Sequence, residues 1–281
     1  MSRKDLKSYI ENAWNERESG KLQDFSENFE DFLKGLENGS IRAAEPTKEG
    51  WIVNAWVKQG ILLGFKYGSV VPMGTADSFK FFDKDTYPTQ YVQGTNRNIR
   101  IVPGGSSVRR GSYIGNSVTM MPPMYVNAGA YVDDGTMIDS HALVGSCAQI
   151  GKRVHLSASA QIGGVLEPIG AVPVVVEDDC MIGGNTGIYE GTRIGRRAVI
   201  GAGVILTKST PVYDLVNQSI LRAGADTPLI IPEGAVVIPG SRPVTSNAWA
   251  HEQGISVQCP IIIKYRDEKT DASTNLEDLL R

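Results

Sequence analysis

Between Val108 and Leu215 an aliphatic residue returns at every sixth position: Val108, Ile114, Met120, Val126, Val132, Ile138, Val144, Ile150, Leu156 and Ile162. After a break the count resumes at Val176, Ile182, Ile188, Ile194, Ile200, Leu206 and Val212. Four residues after these positions stands a second inward candidate, often small, as at Ala130, Thr136, Ala142, Ala148, Val154, Ala160, Cys180, Thr186, Thr192, Ala198 and Val204. Neither the 3.6-residue turn of a helix nor the two-residue alternation of a strand gives a period of six. A hexapeptide period predicts a parallel β-helix, each hexad making one short flat strand and a turn. In the left-handed form three hexads complete a triangular coil, and coils stack at about 4.8 Å, the spacing of hydrogen-bonded strands. Glycine often follows the aliphatic residue (Gly115, Gly145, Gly151, Gly163, Gly183, Gly195, Gly201), where a corner with little room is expected.

The flanking patterns differ. Leu6, Ile10 and Trp14 are spaced by four, Ser19-Gly20 breaks the pattern, and Phe25, Phe29, Phe32, Leu33 and Leu36 form one stripe, so residues 5–37 predict two helices with Gly39 ending the second. The apolar run Trp51 to Val57, continuing to Ile61-Leu62-Leu63, predicts another helix, and the Gly-, Pro-, Asp- and Thr-rich stretch Gly68–Asn98 reads as loops. Ile162 and Val176 are fourteen residues apart, two more than two hexads. The intervening glycines and Pro168 and Pro173 therefore predict a turn expelled from the prism, a place where binding residues tend to sit. After Tyr213 the register fades, strands and turns are expected over 230–240, a strand over Val257–Lys264, and a short helix over Asn275–Arg281. The expected organisation is a helical region over 1–99, the β-helix over 100–215, and a small β and coil region over 216–281.

Composition narrows the function. A formal net charge of -3 gives no electrostatic reason to expect nucleic acid. Three unpatterned cysteines, Cys147, Cys180 and Cys259, suit a reducing compartment better than a disulfide framework. No apolar leader or membrane-length stretch is present, so a cytoplasmic protein without membrane contact is expected. The three histidines, His141, His155 and His251, fall at non-equivalent places, the last outside the repeat, so no three-histidine metal site is expected.

Several segments together carry a more specific signal. Tyr125-Val126-Asn127, Gly129-Ala130-Tyr131-Val132-Asp133, Gly135-Thr136-Met137-Ile138-Asp139, Val144 through Lys152, Val154-His155-Leu156-Ser157 and Ile162 through Pro168 resemble the tetrahydrodipicolinate N-succinyltransferase family. Ile41-Arg42 to Glu45, Phe82-Asp83-Lys84, Arg100 with Val102-Pro103, and Leu279-Leu280-Arg281 extend the likeness over nearly the whole chain. The resemblance implies a homotrimeric left-handed β-helix enzyme that transfers a succinyl group from succinyl-CoA to 2-amino-6-oxopimelate, the ring-opened form of tetrahydrodipicolinate, in lysine and diaminopimelate biosynthesis. It also implies no permanently bound cofactor, the coenzyme A thioester being a cosubstrate. Arg100 and Asp139 match the positions that bind the amino-dicarboxylate in that family.

The chemistry suits those residue types. A guanidinium can give a carboxylate two parallel charge-assisted hydrogen bonds. The substrate amine is mostly protonated near neutral pH, and a carboxylate such as Asp139 can orient it and accept its proton, a role worth about 10²- to 10⁴-fold in rate. The tetrahedral oxyanion needs a donor, most simply a backbone N–H in a Gly-rich corner. One departure stands at Gly187, where the family pattern has a glutamate implicated in catalysis. Glu190 does match a glutamate of the family motif, and Glu190-Gly191 equally resembles the related N-acetyltransferases. Glu190 therefore joins Asp139 as a candidate catalytic residue, and His141 is a possible substitute base. For coenzyme A, Lys208 at the end of the coils is the favoured basic group among Arg193, Arg196, Arg197 and Lys208, with Ala202 and Gly203 letting the pantetheine arm approach the backbone. The open alternatives are acetyl-CoA as donor, a specialised relative serving toxin or antibiotic biosynthesis, and a non-catalytic scaffold. Outward Tyr125, Tyr131 and Leu143 would need cover, which a threefold ring provides.

Overall fold

The six-residue period becomes a three-sided stack of two-residue strands in the computed structural model, which describes residues 2–18, 20, 24–48, 50–74, 80–225 and 227–267. The first face stacks the rungs ending in Ile101, Met120, Ile138, Leu156, Ile182 and Ile200. The second stacks those ending in Val108, Val126, Val144, Ile162, Ile188 and Leu206, and the third those ending in Ile114, Val132, Ile150, Val176, Ile194 and Ile231. All these pairings are parallel, so each coil repeats the last one rung higher. The aliphatic columns meet inside, nearly all fully buried, and the small second set fills the remaining space, from Ala130 at 2% exposure to Thr136 at 0%. Thr136 satisfies its buried hydroxyl by donating to the Gly151 carbonyl at 2.8 Å.

The corners divide their work in a way that the glycines alone did not indicate. Left-handed backbone occurs three positions after the aliphatic residue, at Gly111, Ser117, Gly129, Gly135, His141, Cys147, Arg153, Ser159, Asp179, Asn185, Gly191, Arg197, Gly203 and Gly234. The glycines directly after the aliphatic residue are needed for space instead. A Cβ on Gly145 would stand 2.2 Å from the Gly164 nitrogen, and one on Gly183 2.5 Å from the Ala202 nitrogen.

Two departures from strict period differ from expectation. Ile162 and Val176 are consecutive rungs on the second and third faces, so no hexad is skipped between them and eight residues are expelled as a loop. Val212 is buried but is not a rung: Val212–Asp214 pairs with Ser219–Leu221 and with Ser256–Tyr265, and Ile230–Ile231 takes the next place on the third face. Val236 and Val237 extend the first face, after which Ala235–Pro243 and Ser256–Tyr265 form a long antiparallel hairpin. The expected helix over Asn275–Arg281 lies outside the described residues.

Helices α1 (Arg3–Asn15), α2 (Phe25–Glu37) and α3 (Ala55–Tyr67) bury Leu6, Ile10, Phe32, Leu33, Val57 and Ile61 against one another and against the corner between the second and third faces. Gly39, with φ +78, follows the end of α2. Trp51-Ile52-Val53 is not helical: Ala44–Thr47 (β1) and Gly50–Val53 (β2) form a hairpin, because Asn54 redirects the chain before α3 begins. The stretch read as loops likewise contains an antiparallel pair, Val70–Met73 (β3) with Phe81–Lys84 (β4), and a short 3-10 turn at Thr95–Arg97. Arg110 fastens the helices to the prism through Glu37 at 2.8 Å and Glu30 at 2.8 Å, which holds the Glu30 carboxyl below its usual range. Lys58 on α3 is fully buried and donates to the Ala171 carbonyl of the expelled loop at 2.5 Å; burial pulls its ammonium below the ordinary lysine range. All three cysteines are buried and unpaired.

Candidate active site

The first corner, where the first face turns into the second, carries Asp139. Its backbone N–H donates to Leu156 O at 2.9 Å and its carbonyl accepts the Ala142 N–H at 3.1 Å, so the rungs fix the backbone on both sides. The half-buried side chain accepts the Ser140 N–H on Oδ1 at 2.8 Å, leaving Oδ2 for an incoming donor. Exposed Arg100 lies two rungs below, about 10 Å along the stack. Met121 stands between them, its N–H on Ile138 O at 2.8 Å and its Sδ 3.6 Å from Arg100 Nη2. One corner thus presents a fixed carboxylate and an exposed guanidinium at a separation that an extended dicarboxylate with an amine at one end can span. His141, exposed and in left-handed backbone, is two residues from Asp139 at the same corner. His155 lies within a rung and His251 in the Ala248–Glu252 helix (α4), so the three do not converge. Among the described residues no group of three metal-ligating side chains is assembled, and no helix is long and apolar enough to cross a membrane.

Ala202 and Gly203 follow Ile200 and therefore share the corner of Asp139, three rungs above it, about 14 Å along the stack. Among the described residues no atom outside its chain neighbours lies within 4 Å of where a Gly203 Cβ would be, so the corner is sterically open there, with the Gly203 N–H donating to Gly184 O at 3.0 Å and its carbonyl accepting from Gln258 Nε2 at 3.2 Å. Glu190 and Lys208 are elsewhere in the chain, at the corner between the second and third faces. The Glu190 carboxylate accepts the Lys208 backbone N–H at 2.8 Å, and Lys208 Nζ donates to Ala225 O at 3.1 Å. With Pro168, Ala171 and Val172 of the expelled loop they line a cleft of about 430 Å³. Within one chain the structure brings Arg100, Asp139, Ala202 and Gly203 to one edge, and Glu190 with Lys208 to another.

Gly187 is explained by a neighbour that the period did not single out. A Cβ there would meet the Tyr189 ring at 2.4 Å and its hydroxyl oxygen at 2.8 Å, and a Cβ on Gly163, one rung below, would meet the same ring at 2.7 Å. The Tyr189 ring lies against both glycines, filling the space that a side chain at 187 would occupy. A tyrosine two residues beyond a glycine on the outer face was the available signal.

Comparison with known proteins adds to this geometry. A family model described as tetrahydrodipicolinate N-succinyltransferase N-terminal matches residues 5–67, and one described as hexapeptide repeat of succinyl-transferase matches residues 173–208. The chain is 41% identical to the 2,3,4,5-tetrahydropyridine-2,6-dicarboxylate N-succinyltransferase of Legionella pneumophila strain Corby, over 98% of this chain and 97% of that one. It is 41% identical to the enzyme of the same name from Acinetobacter baylyi, over 98% of each chain. A Campylobacter jejuni crystal structure provisionally named a 2,3,4,5-tetrahydropyridine-2-carboxylate N-succinyltransferase superposes with a TM-score of 0.50 at 16% identity, covering 84% of this chain and 62% of that one. That last likeness bears on the fold alone.

Proposed function

The chain belongs to the tetrahydrodipicolinate N-succinyltransferase family and is an acyltransferase; from that premise we propose that it transfers the succinyl group of succinyl-CoA to the amine of 2-amino-6-oxopimelate, a step toward diaminopimelate and lysine. The observation that carries the reading is the fixed Asp139 carboxylate on the same corner as the Arg100 guanidinium, in a chain aligned end to end with its relatives. In the proposed reaction Arg100 binds a carboxylate of the acceptor, and Asp139 Oδ2 receives a proton from its ammonium. The free amine attacks the thioester carbonyl, the C–N bond forms, and the C–S bond breaks. The thiolate leaves and takes up a proton as free coenzyme A. The uncrowded corner at Ala202 and Gly203 is where the pantetheine arm lies along the edge. Lys208, and Glu190 acting through the Lys208 N–H, belong to another edge, so a closed threefold ring is part of the proposal: it sets that edge of one copy against the Asp139 corner of the next. The protein acts in the cytoplasm in this reading.

A second reading concerns the donor. Tyr189 over Gly187 removes room beside the second face, which favours a shorter acyl group, so acetyl-CoA is the alternative. Thiol release is measured with each donor at equal concentration, with and without the amino-dicarboxylate. Acceptor-dependent release from succinyl-CoA, falling about 10²-fold or more in Asp139→Asn, is expected. Faster release from acetyl-CoA moves the assignment to the second reading, and undiminished turnover in both Asp139→Asn and Arg100→Ala removes the site.

A further inference from the structure

The corner between the third and first faces, one turn of chain away from Asp139, holds a cavity of about 370 Å³ roofed by the β1–β2 hairpin. Its charged lining is of two kinds. Glu177 is fully engaged, accepting from Trp51 Nε1 at 3.2 Å and the Arg196 N–H at 3.1 Å and pairing with Arg193 Nε at 3.0 Å. Arg42 and Asp133 are not. Half-buried Arg42 lies 3.6 Å over the Tyr131 ring and donates through Nε to Gln149 at 3.0 Å, with no carboxylate among the described residues within the 4.0 Å ion-pairing distance. Asp133, also half-buried, accepts only the Asp134 N–H among the described residues, at 2.8 Å, and burial pushes its carboxyl above the ordinary range. Two desolvated charges of opposite sign thus face one cavity without pairing to each other, an arrangement that costs free energy until a partner arrives.

We propose that this cavity binds a free α-amino acid with an acidic side chain, its carboxylate on Arg42, its ammonium on Asp133, and its distal carboxylate toward Lys48 and Arg196. A dipolar head group supplies each buried charge with the partner it lacks, through charge-assisted hydrogen bonds. The acidic preference follows from the uncommitted charges. Lys48 has no ion pair among the described residues, and the Arg196 contact to Asp179 is long at 3.5 Å. The lining carries four cations, Arg42, Lys48, Arg193 and Arg196, against three carboxylates, Asp133, Glu177 and Asp178, which leaves one net positive charge, and an amino-dicarboxylate brings one net negative charge. Trp51 forms an apolar wall for the methylenes between. This inference stands independently of the acyl-transfer reading, since none of its residues is placed in that site.

The test is calorimetric titration of the full chain with L-2-aminoadipate, in an Arg100→Ala background that silences the Asp139 corner. One molecule per chain is expected, weakened about tenfold or more by Arg42→Gln and by Asp133→Asn. Arg196→Gln, an exposed position whose side chain gives up only the long contact to Asp179, is expected to weaken L-2-aminoadipate and leave L-norleucine, which lacks the distal carboxylate, unchanged. Adipate, which lacks the amine, is expected to bind Asp133→Asn at least as well as the parent. Adipate binding the parent as tightly as L-2-aminoadipate, absence of heat up to millimolar ligand, or unchanged binding in Arg196→Gln or in a folded Arg42→Gln would each overturn the proposal.

Discussion

Alanine at Gly183 and alanine at Gly203 perturb neighbouring rungs of one corner by different physics, and the structure says how far apart the outcomes lie. Gly183 has ordinary backbone, but its Cβ would stand 2.5 Å from Ala202 N and 2.7 Å from Ile200 O, both main-chain atoms. Restoring a contact of 3.4 Å requires the rungs to part by about 0.9 Å, which carries the Gly183 N–H to Ile200 O bond from 2.7 Å past the hydrogen-bonding limit. A lost ladder bond of about 1 kcal/mol and overpacking of about 1–3 kcal/mol give roughly 2–4 kcal/mol. Gly203 has φ +77 and open space, so alanine there costs only the left-handed conformation, about 1 kcal/mol. At about 2–4 °C per kcal/mol for a chain of this size, Gly183→Ala is expected to melt roughly 4–16 °C lower and Gly203→Ala about 2–4 °C lower. Scanning calorimetry at fixed protein concentration and scan rate checks this, with Gly203→Asn expected to lose less than Gly203→Ala because asparagine tolerates left-handed backbone. Equal losses in the two alanine variants, or a Gly203→Asn worse than Gly203→Ala, would refute the division of labour at the corners.

Gly187→Glu is expected to destabilise by about 1–3 kcal/mol through collision with the Tyr189 ring, and Tyr189→Ala in the same chain is expected to recover most of the loss. Additive melting shifts in the double variant would show that the ring does not fill that space. Lys58 has its folded-state pKa lowered by burial, so the unfolded chain holds more protons and the penalty is present below the folded value and disappears as pH rises to about 10.4. The melting temperature of the parent relative to Lys58→Met is therefore expected to rise between about pH 7 and pH 10; a difference independent of pH would mean that the buried ammonium carries no such cost.

The prism was legible because one aliphatic residue per hexad is a demand of its interior, and Ile114, Val132, Ile150, Ile182 and Ile200 are buried without remainder. The corner conformation was not legible, since the left-handed position is filled by Ser117, His141, Arg153 and Asn185 as readily as by glycine. Ladder bonds on both sides hold those residues there against their own preference. The end of the stack was misjudged for a related reason: Val212 sits on the period and is buried, but its partners are 256–265, far along the chain, and periodicity carries no information about them. Trp51-Ile52-Val53 misled because an apolar run beside a helix reads as more helix unless the redirection at Asn54 is known. Arg100 and Asp139 came from likeness to a family, and the fold supplied what the likeness could not, their positions on one corner two rungs apart. Tyr189 beside Gly187 was missed, because a tyrosine two residues beyond a glycine says nothing of where its ring lies until the coils are stacked.

The long hairpin at 235–265 has a consequence for how molecules of this kind stay separate. A column of identical flat layers is a seed on which another column can keep growing, as fibres do. Here the last layer of the first face is handed to strands that run the other way, ending in the three-residue Ser219–Leu221, while the other two faces end in strands of two residues. Among the described residues no broad, level platform is left at this end for a second molecule to extend, so a chain cut back to Leu206 is the form expected to polymerise end to end.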